Sequence, residues 1–270
     1  MKIDPSPQAR SGDDAMPRLA RIRFVLVETS LTGNIGAVAR AMKNMGLKQL
    51  ALVRPRHLPD ADALARAAGA DDLLAAATVH ETLADALTGC RLVIGSSARL
   101  RSVEWPQVDP RGCAEHLLAE AGEGDVALLL GRESSGLTND ELGCCHFLAH
   151  IPTSPVFSSL NIAAAAQVFA YELRQVALRG AADADVSREP QSVTVTEAPL
   201  ATADEMEGFY GHLERTLVAI GYADPAQSAR LKRRLRRLFN RARPDRTELN
   251  ILRGVLSAAA GRKDPDRFRR

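Results

Sequence analysis

Apolar residues fall into two registers along this chain. β-rich runs, broken only by Arg23 and His150, occur at 22–27, 50–53, 92–95, 126–130 and 147–151, and each stops at a polar or glycine-containing turn. Runs of this kind predict strands buried on both faces, as in a parallel sheet. Between them the spacing becomes helical. Ile35, Val38, Met42 and Met45 make one stripe of a helix that starts near Gly33, with Gly46 in the C-terminal cap position. Further helices are predicted over 62–68, 81–87, 112–121 and 160–178. The last takes Ser158 or Ser159 as N-cap and is apolar on nearly all sides, through Ile162, Ala165, Ala166, Val168 and Phe169, so its burial is expected. Strand and helix alternate, which gives an α/β fold: a mostly parallel sheet with helices on both faces. Ligands of such sheets sit beyond the carboxyl ends of the strands, and here those ends are all polar.

The alternation fails between 181 and 203, where Ala, Asp, Ser, Glu, Pro, Thr and Val follow no period. We read this stretch as a linker, residues 1–19 as a flexible leader and 20–180 as the main domain. Residues 204–270 then form a helical extension of three amphipathic segments. The first carries Met206, Phe209, Tyr210 and Leu213, the second Leu231, Leu235, Leu238 and Phe239, and the third Leu249, Leu252, Val255 and Leu256.

The 270 residues suffice for one sizeable core with an appendage. Net charge is only +2, but from Arg230 onward fifteen Lys and Arg face four acids, Asp245, Glu248, Asp264 and Asp266. That asymmetry points to a nucleic acid or another polyanion, the plainer alternative being a solvated helix face. Cys90, Cys113, Cys144 and Cys145 form no metal-ligating spacing, so reduced thiols and no metal are expected. No apolar run reaches the roughly 18 residues of a membrane span, and the N-terminus lacks a signal-peptide core. A cytoplasmic protein without membrane contact is therefore expected.

The common catalytic sets are missing. Gly131-Arg132-Glu133-Ser134-Ser135-Gly136 lacks the lysine of a P-loop, the turn after the first run lacks the dinucleotide glycines, and no nucleophile elbow occurs. His146 and His150 flank a strand and read as packing or surface residues. What remains is a cleft of backbone amides and small hydroxyls, with Arg40 on the helix face opposite its apolar stripe. Such a cleft suits a nucleoside-like cofactor from which a group is transferred.

Three separated sets carry a resemblance: Asn34, Gly36 and Arg40; Gly131, Arg132, Glu133 and Gly136; Ser159, Leu160 and Asn161. Together they resemble the motifs of the SPOUT superfamily of RNA methyltransferases. The stretches at 26–47, 130–142 and 158–172, with the tail segments around Tyr210, Leu235 and Leu249, are similar to the TrmJ family of tRNA 2′-O-ribose methyltransferases. The resemblance spans nearly all of 20–260. It implies a deep trefoil knot in the C-terminal part of the sheet domain, a topology that pattern alone would never suggest. It implies S-adenosyl-L-methionine held by Ser96, Ser97 and Ala98, by Gly131, Arg132 and Glu133, by Ile151, and by Ser158, Ser159 and Leu160. Turn and capping chemistry is the plainer reading of those residues.

The resemblance also makes Arg40 the main catalytic candidate, with Asn34, Ser159 and Asn161 aligning the substrate. A guanidinium is protonated at neutral pH, so orienting the ribose or a phosphate suits Arg40 better than acting as a base. Helix capping is the plainer role for Asn34, Ser159 and Asn161. Glu133 is read as holding Arg132 or a backbone amide, and Glu28 and Thr29 as lining the cleft. A tRNA substrate is implied, modified at cytidine or uridine 32 of the anticodon loop, and a homodimer whose site uses both subunits. The rival readings are a ribosomal RNA substrate and a non-catalytic RNA-binding protein of the same fold. A nucleotide hydrolase is disfavoured by the missing lysine.

Overall fold

The computed structural model describes residues 16–98, 105–184, 199–224 and 229–261. Most of the expected leader, the centre of the expected linker and the end of the basic tail lie outside these residues.

The apolar runs form strands β1 (Ile22–Val27), β2 (Gln49–Val53), β4 (Leu92–Ser96), β6 (Val126–Leu130) and β7 (Phe147–Ala149). Two short strands, β3 (Thr78–His80) and β5 (Gln107–Val108), complete a seven-stranded sheet in the order β3-β2-β1-β6-β4-β7-β5, and every pairing is parallel. β3 and β5 are half-exposed edges without an apolar run, which is why sequence pattern passed over them. β6 lies between β1 and β4, with Val126 opposite both Ile22 and Leu92. The turns leaving β1, β6, β4 and β7 therefore emerge side by side along one edge of the sheet.

Alternation along the strands sends Phe24, Leu26, Leu128 and Leu130 to one face and Val25, Val27, Ala127 and Leu129 to the other. On the first face lie α2 (Thr32–Asn44), α3 (Ala61–Ala67), α4 (Asp71–Ala75), α6 (Pro110–Glu120) and α8 (Ile162–Ala184), after the short N-terminal α1 (Met16–Leu19). On the second lie α5 (Leu83–Ala86) and α7 (Asn139–Leu142). Ile35, Val38 and Met42 are fully buried; each is worth about 1.5–3 kcal/mol of apolar burial. Gly36, on another side of α2, admits α3 so closely that a Cβ there would stand 2.0 Å from the carbonyl oxygen of Ala63.

Two expectations for α8 are corrected. Its N-cap is neither Ser158 nor Ser159: the Asn161 side chain accepts from the Ala163 N–H at 2.8 Å. Nor is α8 buried all round. Ile162, Ala166, Phe169 and Leu173 pack inward against α2 and α6, while Ala164, Tyr171 and Leu178 repeat every seventh residue on an exposed face. Alanine-rich helices look apolar on every side in sequence, yet only the large side chains mark the face that packs.

The extension folds as α9 (Ala203–Ala219), α10 (Ala229–Ala242) and α11 (Arg246–Ala259) around Met206, Phe209, Tyr210, Leu213 and Leu249. Leu238 and Val255, expected on inward faces, are exposed instead. The three helices dock on the main domain: Ala203 N–H donates to the Cys90 carbonyl at 2.8 Å, and Arg243 pairs with Glu120 at 2.7 Å.

Candidate active site

The turn after β6 is a pinched loop. Arg132 N–H donates to the Gly136 carbonyl at 3.2 Å and Gly136 N–H returns to the Arg132 carbonyl at 2.9 Å. Gly136 has φ +69°, and a Cβ on Gly131 would sit 2.3 Å from the Gly136 carbonyl carbon, so both glycines are required by this turn.

Both charged side chains of the loop turn into the protein. Arg132 gives a bidentate pair of hydrogen bonds to Glu141, each 2.9 Å, and its Nε donates to Glu28 at 2.8 Å. Glu141 is in turn the third residue of α7 and closes a capping box with Thr138. Burial disfavours charge on Glu141, but hydrogen bonds from Arg132 and the Thr138 amide prevail and hold its carboxyl below the usual value. The Arg132 hydrogen bond, reinforced by Arg54, lowers Glu28 similarly. Arg132 is raised by Glu141 first and then Glu28.

Glu133 faces the other way. Its carboxylate accepts from Ser30 N–H at 3.2 Å, Ser30 Oγ at 3.1 Å, Leu31 N–H at 3.4 Å and Asn34 Nδ2 at 3.0 Å. Burial opposes its ionisation, and the bonds from Asn34 and Ser30 outweigh that, so the carboxyl is held below its ordinary value. Of the two partners expected for Glu133, backbone amides are found and Arg132 is not. Leu31, the residue that precedes α2, has no capping side chain, and Glu133 supplies the negative charge at that helix start from 99 to 103 residues away.

Asn34 therefore does not cap its helix. Its Nδ2 serves Glu133, and its Oδ1 accepts from Asn161 Nδ2 at 3.0 Å, while Asn161 Oδ1 caps α8. The three sequence sets are joined into one hydrogen-bonded line, Glu133–Asn34–Asn161, running from the β6 turn across α2 to the start of α8.

The remaining walls stand beside it. Ser97 N–H donates to the Ala149 carbonyl at 3.0 Å, and a ring nitrogen of His150 contacts the Ser97 carbonyl at 3.0 Å, tying the β4 and β7 ends together. The segment after β7 makes a tight turn, Phe157 N–H to the Ser154 carbonyl, with Val156 93% and Phe157 80% exposed. Ser158, Ser159 and Leu160 follow, all exposed, and Ile151 and Ser96 are half-buried with Ala98 exposed. Thr29 is buried and does not line the cleft. Arg40 makes no bond to this cluster among the described residues. It is exposed on α2 and lies six residues, about 9 Å of helix axis, from Asn34.

Sequence reading missed Glu141 as the anchor of Arg132. The Thr138-x-x-Glu141 spacing signals a capping box, but nothing local shows the second use of that carboxylate. His146 does pack inside: it is buried, Nδ1 accepts from Val93 N–H at 3.1 Å, and burial followed by the charge of Arg243 pushes its pKa down to about 4.

Comparison with known proteins supplies the rest. The SpoU rRNA Methylase family model matches residues 21–171, and the model for the tRNA methyltransferase TrmJ C-terminal domain matches residues 204–268. The tRNA (cytidine/uridine/adenosine-2′-O-)-methyltransferase TrmJ of Pseudomonas aeruginosa is 52% identical over 243 residues, 88% of this chain and 93% of that protein. The tRNA (cytidine/uridine-2′-O-)-methyltransferase TrmJ of Klebsiella pneumoniae is 50% identical, covering 89% and 96%. Among solved structures, TrmJ from Z. mobilis ZM4 superposes with a TM-score of 0.75 at 35% identity, covering 87% of this chain and 97% of that one. A probable methylase family protein from Haemophilus influenzae Rd KW20 gives 0.59 at 40% identity, covering 90% and 97%.

Proposed function

The chain belongs to the SpoU rRNA methylase family and within it to the TrmJ proteins, and on that premise we propose that it methylates ribose 2′-hydroxyls of tRNA. The methyl donor in this reading is S-adenosyl-L-methionine, and the target is cytidine or uridine 32 of the anticodon loop. The observation that carries the reading is the Glu133–Asn34–Asn161 line, which makes one rigid object of the three loops that would surround donor and acceptor.

The donor set fits such a cofactor. The N–H groups of Ile151, Ser158, Ser159 and Leu160 take no backbone partner among the described residues, and small hydroxyls stand beside them. Free amides and hydroxyls of this kind match the edge of an adenine and the diol of a ribose. When bound, S-adenosylmethionine supplies an electrophilic methyl group. Ser96, Ser97 and Ala98 and the backbone of Gly131, Arg132 and Glu133 would complete the wall, since the Arg132 and Glu133 side chains are engaged elsewhere.

That engagement limits the chemistry. Glu28, Glu133 and Glu141 are each occupied by several donors, so none of them is free to take the ribose proton. Asn34, Ser159 and Asn161 align the substrate, and Arg40 orients the ribose or a flanking phosphate through its planar fork. The exposure of Arg40, without a hydrogen bond to its own loops among the described residues, and the exposure of Val156 and Phe157 support a homodimer in which a second copy covers this edge and Arg40 serves the partner's site. Placement of β6 between β1 and β4 and of β7 between β4 and β5, with α8 returning onto α2, supports a trefoil knot. No helix among the described residues is long and apolar enough to cross a membrane, and a tRNA substrate implies the cytoplasm.

The test is nucleoside mass spectrometry of tRNA from a deletion strain, and of unmodified tRNA incubated with the enzyme and S-adenosylmethionine. Loss of 2′-O-methylcytidine or 2′-O-methyluridine at nucleotide 32 in the strain, and its appearance in vitro, are expected; adenosine is scored too. Ribose methylation that disappears from ribosomal RNA alone would refute the tRNA assignment.

A further inference from the structure

α10 turns two different faces to its surroundings. At about 100° per residue, Arg230, Arg234, Arg237 and Arg241 share one outward arc of the helix, and Arg233, seven residues before Asn240 and so on the same side as it, is exposed at the edge of that arc. None of them pairs with an acid among the described residues, whereas Lys232 and Arg236 on the inner side are bound to Glu214 and Glu207. Arginines without an acid partner in such an arc suit the phosphates of a nucleic acid.

Inward, the one fully buried residue of α10 is polar. Asn240 Oδ1 accepts from the Tyr210 hydroxyl at 2.6 Å, and Nδ2 donates to the carbonyls of Gly143 at 2.9 Å and Cys145 at 3.2 Å. Carbonyls only accept, so the amide has a single orientation that satisfies all three. One turn before Asn240, Arg236 holds the same tyrosine: its guanidinium lies 4.5 Å from the centre of the Tyr210 ring, and its carbonyl accepts from the Tyr210 hydroxyl at 3.2 Å.

Gly143 is the C-cap of α7, whose Glu141 holds the Arg132 guanidinium, and the Cys145 carbonyl also accepts from Trp105 Nε1. Cys145 reaches back to β4: its Sγ is 2.8 Å from where a Cβ on Gly95 would stand, one residue before Ser96. The carbonyls that Asn240 grips therefore belong to the support of two walls of the candidate cofactor site. A buried hydrogen bond is firm only while both ends are held, and Asn240 is held from α9 and α10.

We propose that Asn240 is a positioning residue that couples RNA bound on the arginine face of α10 to the cofactor loops, so that tRNA and cofactor tighten each other's binding. This inference rests on the reading of the protein as a tRNA methyltransferase. RNA that fixes α10 fixes α7 and the Arg132 turn with it, and the cofactor then orders less of the site on arrival. Linkage makes the effect equal in both directions.

Calorimetry of the full-length protein with S-adenosylhomocysteine, in the absence and presence of saturating unmodified tRNA, measures the coupling without turnover. In the wild type, tRNA is expected to tighten binding about 5-fold or more. In Asn240→Ala each ligand alone binds within about 2-fold of wild type, while the tightening falls below about 2-fold, a ratio that simple destabilisation would leave unchanged. If Asn240→Ala does not fold, Tyr210→Phe decides: freeing Asn240 from the α9 ring is expected at least to halve the tightening, and unchanged tightening overturns the proposal. Full tightening in a folded Asn240→Ala overturns it equally. A wild type that methylates tRNA but shows no tightening overturns the coupling alone, and one that methylates no tRNA overturns the underlying reading and the coupling together.

Discussion

Replacing Glu133 by glutamine keeps the shape of the side chain and removes only its charge. In the wild type every group facing the carboxylate is a donor: Ser30 N–H, Ser30 Oγ, Leu31 N–H and Asn34 Nδ2. A glutamine amide must direct its NH2 at one of them, and only the Ser30 hydroxyl can turn to accept it, beside a Ser30 N–H that still donates. Asn34 cannot rotate to accept, because its Oδ1 already receives Asn161 Nδ2, and Asn161 is fixed by the Ala163 N–H. The polarity of the whole line is thus set by a backbone donor at one end and a carboxylate at the other. Converting charge-assisted bonds to neutral ones costs about 0.5–1.5 kcal/mol. Losing the negative charge beside the start of α2 costs about 0.3–1 kcal/mol more. For Glu133→Gln the sum is about 1–2.5 kcal/mol, a fall in melting temperature of roughly 2–4 °C at pH 7.5 for a chain of this length. The sign with pH is definite. The folded carboxyl is held below its ordinary 4.5, so the stabilisation is complete above that value and is lost as pH falls through the folded pKa. Thermal melts of both proteins from pH 7.5 to 3.5 should therefore converge at the acid end. A gap below about 0.3 kcal/mol at pH 7.5, or one that persists undiminished at pH 3.5, would show that the carboxylate does not hold the three loops.

Arg40→Ala should lower the rate of methyl transfer by about 100-fold or more, the order expected for lost alignment, while the exposed position leaves stability within about 0.5 kcal/mol. Near-normal single-turnover rates in that variant would remove Arg40 from the reaction. On α10, each of Arg233→Ala, Arg234→Ala and Arg237→Ala should reduce the slope of log K for tRNA against log salt by about 0.7–0.9, measured by filter binding; an unchanged slope would mean that arginine faces no phosphate. His146 is neutral in the folded protein down to about pH 4, whereas the unfolded chain protonates near 6.5. The unfolded state binds the extra proton between these values, so stability rises with pH across that window by about 3 kcal/mol. Denaturant titrations at pH 4.5 and 7.5 should show this rise in the wild type and lose it in His146→Leu.

The parts of the fold legible in the sequence were those whose signal is local. β1 and β6 are placed residue for residue because a strand buried on both faces leaves an apolar run, broken in β1 only by Arg23 near its start. The stripe Ile35, Val38 and Met42 located α2 for the same reason. α8 shows where locality misleads: its alanines suggested burial on every side, and only Ile162, Phe169 and Leu173 separate the packed face from the one carrying Tyr171 and Leu178.

The candidate site was legible as a list of residues and illegible as an arrangement, and distance along the chain explains the difference. Asn34, Ser159 and Asn161 all stand where a helix begins, so capping is the natural local assignment for each. Only Asn161 caps. Asn34 is bound across 99 residues by Glu133 and across 127 by Asn161, and the start of α2 is completed by a carboxylate from another loop. Asn240 repeats the pattern across 97 residues, where the composition of α10 announces only its positive charge. A polar side chain whose partner is local can be replaced by any residue that caps or turns equally well. One whose partners lie on two other loops has its donors and acceptors prescribed from both sides, as the line from Ala163 N–H to Glu133 prescribes them for Asn34. That prescription separates Asn34 from an ordinary helix-start asparagine, and it makes the exchange of one carboxylate for an amide a test of the whole site.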